Sequence, residues 1–167
     1  IHLHEVMRWN PRVRLVSEAD PRLIVVRHLL DSLSIHSVLD GLLEEGRAGG
    51  PGPFRIADAG SGGGFPGIPL ALMYPRVSAV LIERKTKKAA FLRSMAGMLG
   101  LRERVTVFEG DVREARGPFP VVICREMVPE SQPSSHIAPV ESRLDAPYIR
   151  RFFHDTEINR NSLQGVK

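Results

Sequence analysis

Asp58-Ala59-Gly60-Ser61-Gly62-Gly63-Gly64-Phe65-Pro66-Gly67 is the stretch on which the fold turns. An apolar run that reads as a buried strand, Phe54–Ala59, leads into it, and a helical pattern over about residues 66–74 follows. Glycines between a strand and a helix let backbone approach a ligand closely, and the helix beyond is expected to present free N–H groups. Working outward, residues 78–83, 104–108 and 120–124 read as further strands, and residues 85–99 as a helix ended by Gly100. Strands alternating with helices imply right-handed crossovers and a mainly parallel sheet. The fold class is therefore α/β, with a Rossmann-like core.

Upstream, residues 1–9 predict a short helix stopped by Pro11, and Asp20-Pro21 reads as the start of another. Apolar side chains recur at helical spacing from Ile24 to Leu42, with a break expected near Ser34. The glycine- and proline-rich residues 47–53 read as a linker. The organisation expected is one domain: residues 1–50 a helical N-terminal cap and linker, residues 51–125 the cofactor-binding core, residues 126–167 an irregular or divergent segment. Four prolines, Pro129, Pro133, Pro139 and Pro147, interrupt that last segment; it carries no strand pattern, and residues 150–153 read as the start of a short helix.

The chain has 167 residues, 25% of them charged and 43% hydrophobic, which excludes a disordered chain. It contains no apolar run of membrane-spanning length. The first residues lack the pattern of a signal peptide, and the absence of an initiator Met is consistent with a fragment. A single cysteine, Cys124, excludes a disulfide framework and a cysteine metal cluster, and a reducing, cytoplasmic setting is expected. Net charge is +4: residues 126–167 carry five basic and six acidic side chains, so the excess lies in the first 125. Such an excess suits an anionic partner such as nucleic acid, and equally a protein that is merely basic.

Two ligand readings compete for the glycine loop. Gly62, Gly64 and Gly67 satisfy the dinucleotide spacing, Glu83 lies about 20 residues on, and Arg84, Lys85 and Lys87 could meet a 2′-phosphate. An NAD(P)-dependent oxidoreductase is one candidate on that ground. Alternatively, Asp58-x-Gly60-x-Gly62-x-Gly64 resembles the first motif of S-adenosylmethionine-dependent methyltransferases. Asp58 could then face the cofactor's cationic amino group, Glu83 its ribose hydroxyls and Asp111 its adenine. A third candidate is a non-catalytic RNA- or nucleotide-binding module.

A more specific likeness extends along the chain. Residues 60–70, with Pro66 and Pro69 flanking Gly67, resemble the bacterial small-subunit rRNA guanine-N7 methyltransferases, the glucose-inhibited division protein B family. Trp9-Asn10 and Arg27-His28-Leu29-Leu30-Asp31-Ser32-Leu33 upstream, and Leu81-Ile82-Glu83-Arg84-Lys85 downstream, are similar to further segments of that family. The likeness covers about residues 5–125. It implies a class I methyltransferase fold, S-adenosyl-L-methionine as cofactor, and 16S rRNA of the small ribosomal subunit as partner. Neither a metal nor a membrane is expected as a partner, and the protein is expected to be a cytoplasmic monomer. Carried over residue by residue, it places Gly60, Phe65, Val112, Arg113 and Arg125 at the cofactor, beside Asp58, Gly62, Gly64, Glu83 and Asp111. The family usually has an acidic residue where Arg113 stands, so that contact would run through backbone. The family's pattern is absent from Glu126 onward.

Methylation of guanine N7 implies no catalytic acid, base or nucleophile, because that nitrogen already carries a free lone pair. His2-x-His4 reads as a solvated terminus, and Cys124 as a buried strand end. Arg84, Lys85, Lys87, Lys88 and Arg93 form a basic stripe that is either a solvated helix face or a phosphate contact, and Arg8, Arg12, Arg14, Arg22 and Arg27 give the cap the same two options. His28 and Asp31, three apart, could share a helical face and help order the cap.

Overall fold

In a computed structural model, residues 1–44, 52–117, 119–124 and 148–150 are described. The cap comprises α1 (His2–Val13), α2 (Pro21–Ile24), a wider π-helical segment (Val25–Leu30), α3 (Asp31–Leu33) and α4 (His36–Glu44). The core follows as β1 (Phe54–Ala59), α5 (Gly67–Met73), β2 (Val77–Glu83), α6 (Thr86–Met98), β3 (Val105–Glu109), a 3₁₀ turn (Val112–Glu114), β4 (Val121–Cys124) and β5 (Tyr148–Arg150). No helix among the described residues is long and apolar enough to cross a membrane.

The five strands lie in the order β3-β2-β1-β4-β5, with every neighbouring pair parallel. In register, Asp58 stands between Leu81 of β2 and Ile123 of β4. The strand order reverses between β1 and β4. In open parallel sheets a ligand crevice forms there, outside the carboxyl ends of the strands. Gly60 occupies that point.

The strands are continuous apolar runs because both faces of the sheet are covered. Phe54, Ile56, Val77, Leu81, Val121 and Ile123 belong to the larger core, which also takes in Ile68 and Leu70 of α5, Leu92 and Met95 of α6, and Val6, Ile24 and Leu39 of the cap. Ala57, Ala59, Val80, Ile82, Val122 and Cys124 form a second cluster with Phe119, flanked by Phe108, Val112 and Ala115. Full burial of one such aliphatic side chain contributes about 1.5–3 kcal/mol, so the sheet and its two covers are the main source of stability.

One expectation for the cap changes. The first helix runs past Pro11 to Val13, and Arg14 then closes it in a left-handed conformation, its N–H bonded to the Asn10 carbonyl. Asn10 makes this extension possible. Its side-chain amide donates to the Glu18 carbonyl at 2.7 Å and its Oδ1 accepts the Val16 N–H at 2.9 Å, so the chain that leaves the helix folds back at once. At the second helix the expected start holds: Asp20 is the N-cap, its side chain accepting the Arg22 N–H at 2.8 Å, with Pro21 at the first helical position. The break near Ser34 separates α3 from α4. At the far end, Arg150, where the sequence predicts a short helix to start, is the last residue of a strand beside β4, Tyr148–Arg150; residues 151–153 lie outside the described residues. Parallel pairing with an existing strand overrides local pattern in so short a segment.

Candidate cofactor site

The glycine loop is held by the strand ends around it. The N–H groups of Gly60 and Ser61 donate to the Ile82 carbonyl at 2.9 and 3.1 Å, tying the loop to the end of β2. Ser61 Oγ donates to the Asp58 carbonyl at 2.8 Å, and the Gly64 N–H donates to the Ser61 carbonyl at 2.6 Å. Gly60, Gly62 and Gly64 have φ of 77, 52 and 89°, the left-handed region in which a side chain is strained. Gly64 also lacks room, since a Cβ would stand 2.5 Å from Ile68 Cδ1.

Asp58 does not reach outward. It is 1% exposed, and its Oδ2 accepts the Gly67 N–H at 3.0 Å. In the described residues its carboxylate serves as a buried brace under the first turn of α5. A Cβ on Gly67 would run into Leu81 and into that same carboxylate.

This brace bears on the two ligand readings. A diphosphate at a helix N-terminus needs free N–H groups. In α5 the Gly67 N–H is taken by Asp58, the Ile68 N–H by the Gly64 carbonyl at 2.8 Å and the Leu70 N–H by the Pro66 carbonyl at 3.1 Å, while Pro66 and Pro69 have no N–H. The expected free N–H groups are absent from this helix end, and the dinucleotide reading loses its anchor.

Glu83 fits the other reading. It ends β2 at 8% exposure, with Oε2 accepting the Gly62 N–H at 3.1 Å and Oε1 accepting the Lys85 N–H at 2.8 Å. A carboxylate offers about four acceptor positions, so each oxygen keeps capacity for one hydroxyl of a ribose. The carboxylate thus fixes the glycine loop and can still bind a vicinal diol.

Asp111 follows β3 and caps the 3₁₀ turn. Its carboxylate takes the Arg113 Nε–H at 2.8 Å, a guanidinium N–H of the same residue at 3.0 Å and the Arg113 backbone N–H at 3.0 Å; Arg84 lies 3.7 Å away. The hydrogen bonds from Arg113 hold it down to about pH 2. The expected adenine contact therefore competes with a two-pronged ion pair, and the backbone N–H of Arg113 is already committed. Val112 packs against the second core cluster. Arg125 lies outside the described residues.

Phe65 is 4% exposed and its ring faces the cap, not the crevice. It is flanked by the rings of His2, 4.7 Å between centroids, and His28, 5.4 Å. His2 is not a solvated residue: it is 6% exposed, and its Nε2 donates to the Gly63 carbonyl at 2.7 Å. Burial drives its pKa down to about 4, against the Gly63 hydrogen bond, so the ring is neutral at pH 7. His28 Nε2 hydrogen-bonds Glu18. Burial raises the Glu18 pKa, but the hydrogen bonds from Ser17 and His28 outweigh it and bring the carboxyl down to about 2. His2, His28 and Glu18 carried no spacing signal that would have revealed this.

Several arginines of the two basic groups have carboxylate partners. Arg8 meets Glu5 at 3.1 Å, Arg27 meets Glu18 at 3.4 Å, and Arg93 meets Glu109 at 2.9 Å.

Strand order, glycine loop and strand-end carboxylate together define the fold of class I S-adenosylmethionine-dependent methyltransferases. Magnesium protoporphyrin IX methyltransferase from Synechocystis, solved with bound SAM, superposes with a TM-score of 0.61 at 20% identity, covering 93% of this chain and 77% of that one. The sequence model of the family described as rRNA small subunit methyltransferase G matches residues 1–144, and the chain belongs to that family. The match continues past Arg125, where the sequence pattern alone gave no further likeness. Ribosomal RNA small subunit methyltransferase G of Roseiflexus castenholzii is 44% identical over 103 residues, 62% of this chain and 39% of the relative. The Leptothrix cholodnii protein of the same name is 33% identical over 124 residues, 74% of this chain and 54% of the relative. The chain thus spans about half the length of these relatives, or less.

Proposed function

We propose that this chain binds S-adenosyl-L-methionine in the crevice at Gly60 and serves methyl transfer to N7 of a guanine in 16S rRNA of the small ribosomal subunit, in the bacterial cytoplasm. The family match carries the reading, because residues 1–144 include every element that builds the crevice. Gly60 is exposed at the strand-order switch point, while the Gly62–Gly63 side of the loop is closed by Leu15 and Val16 of the cap. A ligand therefore enters from the side of Gly60, with Glu83 placed to accept its ribose hydroxyls.

When bound, the cofactor supplies a sulfonium methyl group. The N7 lone pair of a guanine could take that methyl group, the sulfur keeping the electrons of the S–C bond and the purine gaining one positive charge. No proton has to leave, so the chain needs no general base. Its contribution is to hold nitrogen, methyl and sulfur in line, a proximity effect. Glu83 and the glycine loop fix the nucleoside end, and the strand ends of β1 and β4 shape the floor.

The test is incubation of the chain with isotopically labelled S-adenosylmethionine and unmethylated small subunits, followed by mass spectrometry of the RNA digest. Labelled 7-methylguanosine in 16S rRNA is expected. Label in another nucleoside, or none in RNA while S-adenosylhomocysteine binds normally, would contradict the assigned substrate.

A further inference from the structure

The glycine loop is gripped from behind by the cap. His2 lies 61 residues from Gly63 in sequence, yet its Nε2–H donates to the Gly63 carbonyl at 2.7 Å. The same imidazole and that of His28 flank Phe65, the residue after Gly64. His28 is in turn tied to Glu18, and the Ser32 hydroxyl donates to the His28 carbonyl within the π-helical segment. Space on this side is used up: a Cβ on Gly62 would stand 2.9 Å from the Leu15 carbonyl, and one on Gly63 would stand 3.2 Å from Val16 Cγ1. The opposite side of the same loop carries Gly62 N–H to Glu83. The loop is thus fixed between a carboxylate at the crevice and an imidazole in the cap.

We propose that His2 is a positioning residue for the cofactor loop, acting through the Gly63 carbonyl and the Phe65 ring to set the backbone of Gly62 and Gly64. The cap then does more than bury the core, since it determines the geometry that a nucleoside meets. This inference rests on the cofactor reading above for its consequence in binding, but not for its consequence in loop order.

Two variants separate a donor from a filler. His2→Phe keeps ring bulk against Phe65 and removes the donor; His2→Gln restores a side-chain N–H that can reach the same carbonyl. In His2→Phe a buried carbonyl loses its partner, so the dissociation constant for S-adenosylhomocysteine is expected to rise at least about fivefold. His2→Gln is expected to stay within about twofold of the unaltered chain. Amide exchange at Gly62 and Gly64 is expected to quicken in His2→Phe and not in His2→Gln, while strand amides of β1 and β2 stay protected in both. Equal affinity and equal loop exchange in all three proteins would overturn the proposal. So would equal losses in both variants, which would mean that the imidazole only packs. If the unaltered chain binds no S-adenosylhomocysteine, the functional reading fails, and loop exchange alone still decides for or against His2. If His2→Phe does not fold, His2→Gln decides: loop exchange faster than in the unaltered chain would overturn the proposal, and unchanged exchange with unchanged affinity would support it.

Discussion

The Asp58 carboxylate accepts the backbone N–H of Gly67 at 3.0 Å, so the acidic residue that opens the glycine loop is bonded to the residue that ends it. Strand β1 and helix α5, already packed together in the core, are joined here by a hydrogen bond, and the loop between them is closed into a ring. Removal of the acceptor in Asp58→Ala leaves a buried N–H without a partner, which costs about 1–3 kcal/mol. Urea denaturation of Asp58→Ala beside Asp58→Asn checks this, with Asn, which keeps an acceptor oxygen, losing less.

Gly67→Ala is expected to destabilise by about 1–3 kcal/mol through overpacking, because the new methyl meets Leu81 and Asp58 inside the core. A melting temperature equal to that of the unaltered chain would mean that α5 can shift outward, and that the ring is less rigid than its geometry implies.

Gly60 combines exposure with a φ of 77°. A β-branched residue is a strong outlier in that conformation, and its methyls would point into the space reserved for ligand. Gly60→Val is expected to lower affinity for S-adenosylhomocysteine more than about tenfold, read by calorimetry, with the cap contacts of Gly62 and Gly63 unaltered. Unchanged affinity would move the binding site elsewhere.

In Glu83→Gln one of the two carboxylate oxygens becomes an NH₂ group, which faces either the Gly62 or the Lys85 backbone N–H and cannot accept from it. Loss of one backbone bond is expected to cost about 1 kcal/mol of stability. Affinity for the adenosyl ligand is expected to fall about tenfold, since the diol loses an acceptor as well.

Acid should loosen the cap in two stages. His2 ionises near pH 4 in the folded chain against 6.5 as a free side chain, so unfolded chains bind the proton first. Its contribution to stability is complete above pH 6.5 and declines as pH falls toward 4, by up to about 3 kcal/mol. Glu18 titrates near pH 2 when folded and near 4.5 when unfolded; its contribution is present above pH 4.5 and is lost as pH falls toward 2. Stability measured between pH 7 and pH 4 is expected to fall in the unaltered chain and to stay flatter in His2→Phe.

The core was legible in the sequence because its strands are uninterrupted apolar runs and its turns are marked by glycine and proline. Phe54–Ala59 and the second helix to Gly100 fall where the pattern put them, within one or two residues. That the sheet is parallel follows from alternation plus the handedness of crossovers; its order, β3-β2-β1-β4-β5, comes from the structure. What the sequence hid are contacts that depend on the third dimension. Nothing local distinguishes an Asp58 turned inward from one facing a ligand, or an Arg113 folded back on Asp111 from one in solvent. His2 reads as a solvated terminus until the cap closes on a loop far along the chain, and His28, expected to help order the cap beside Asp31, meets Glu18 and Phe65 there. Strand β5 is three residues long, and only the neighbouring β4 makes it a strand.

The account depends on a crevice that takes an adenosyl sulfonium and rejects a dinucleotide. Titration calorimetry of this chain with S-adenosylhomocysteine, NADH and NADPH tests it directly. Saturable binding of S-adenosylhomocysteine with no heat from either dinucleotide is the expected result; saturable binding of NADH or NADPH, with S-adenosylhomocysteine silent, would contradict it.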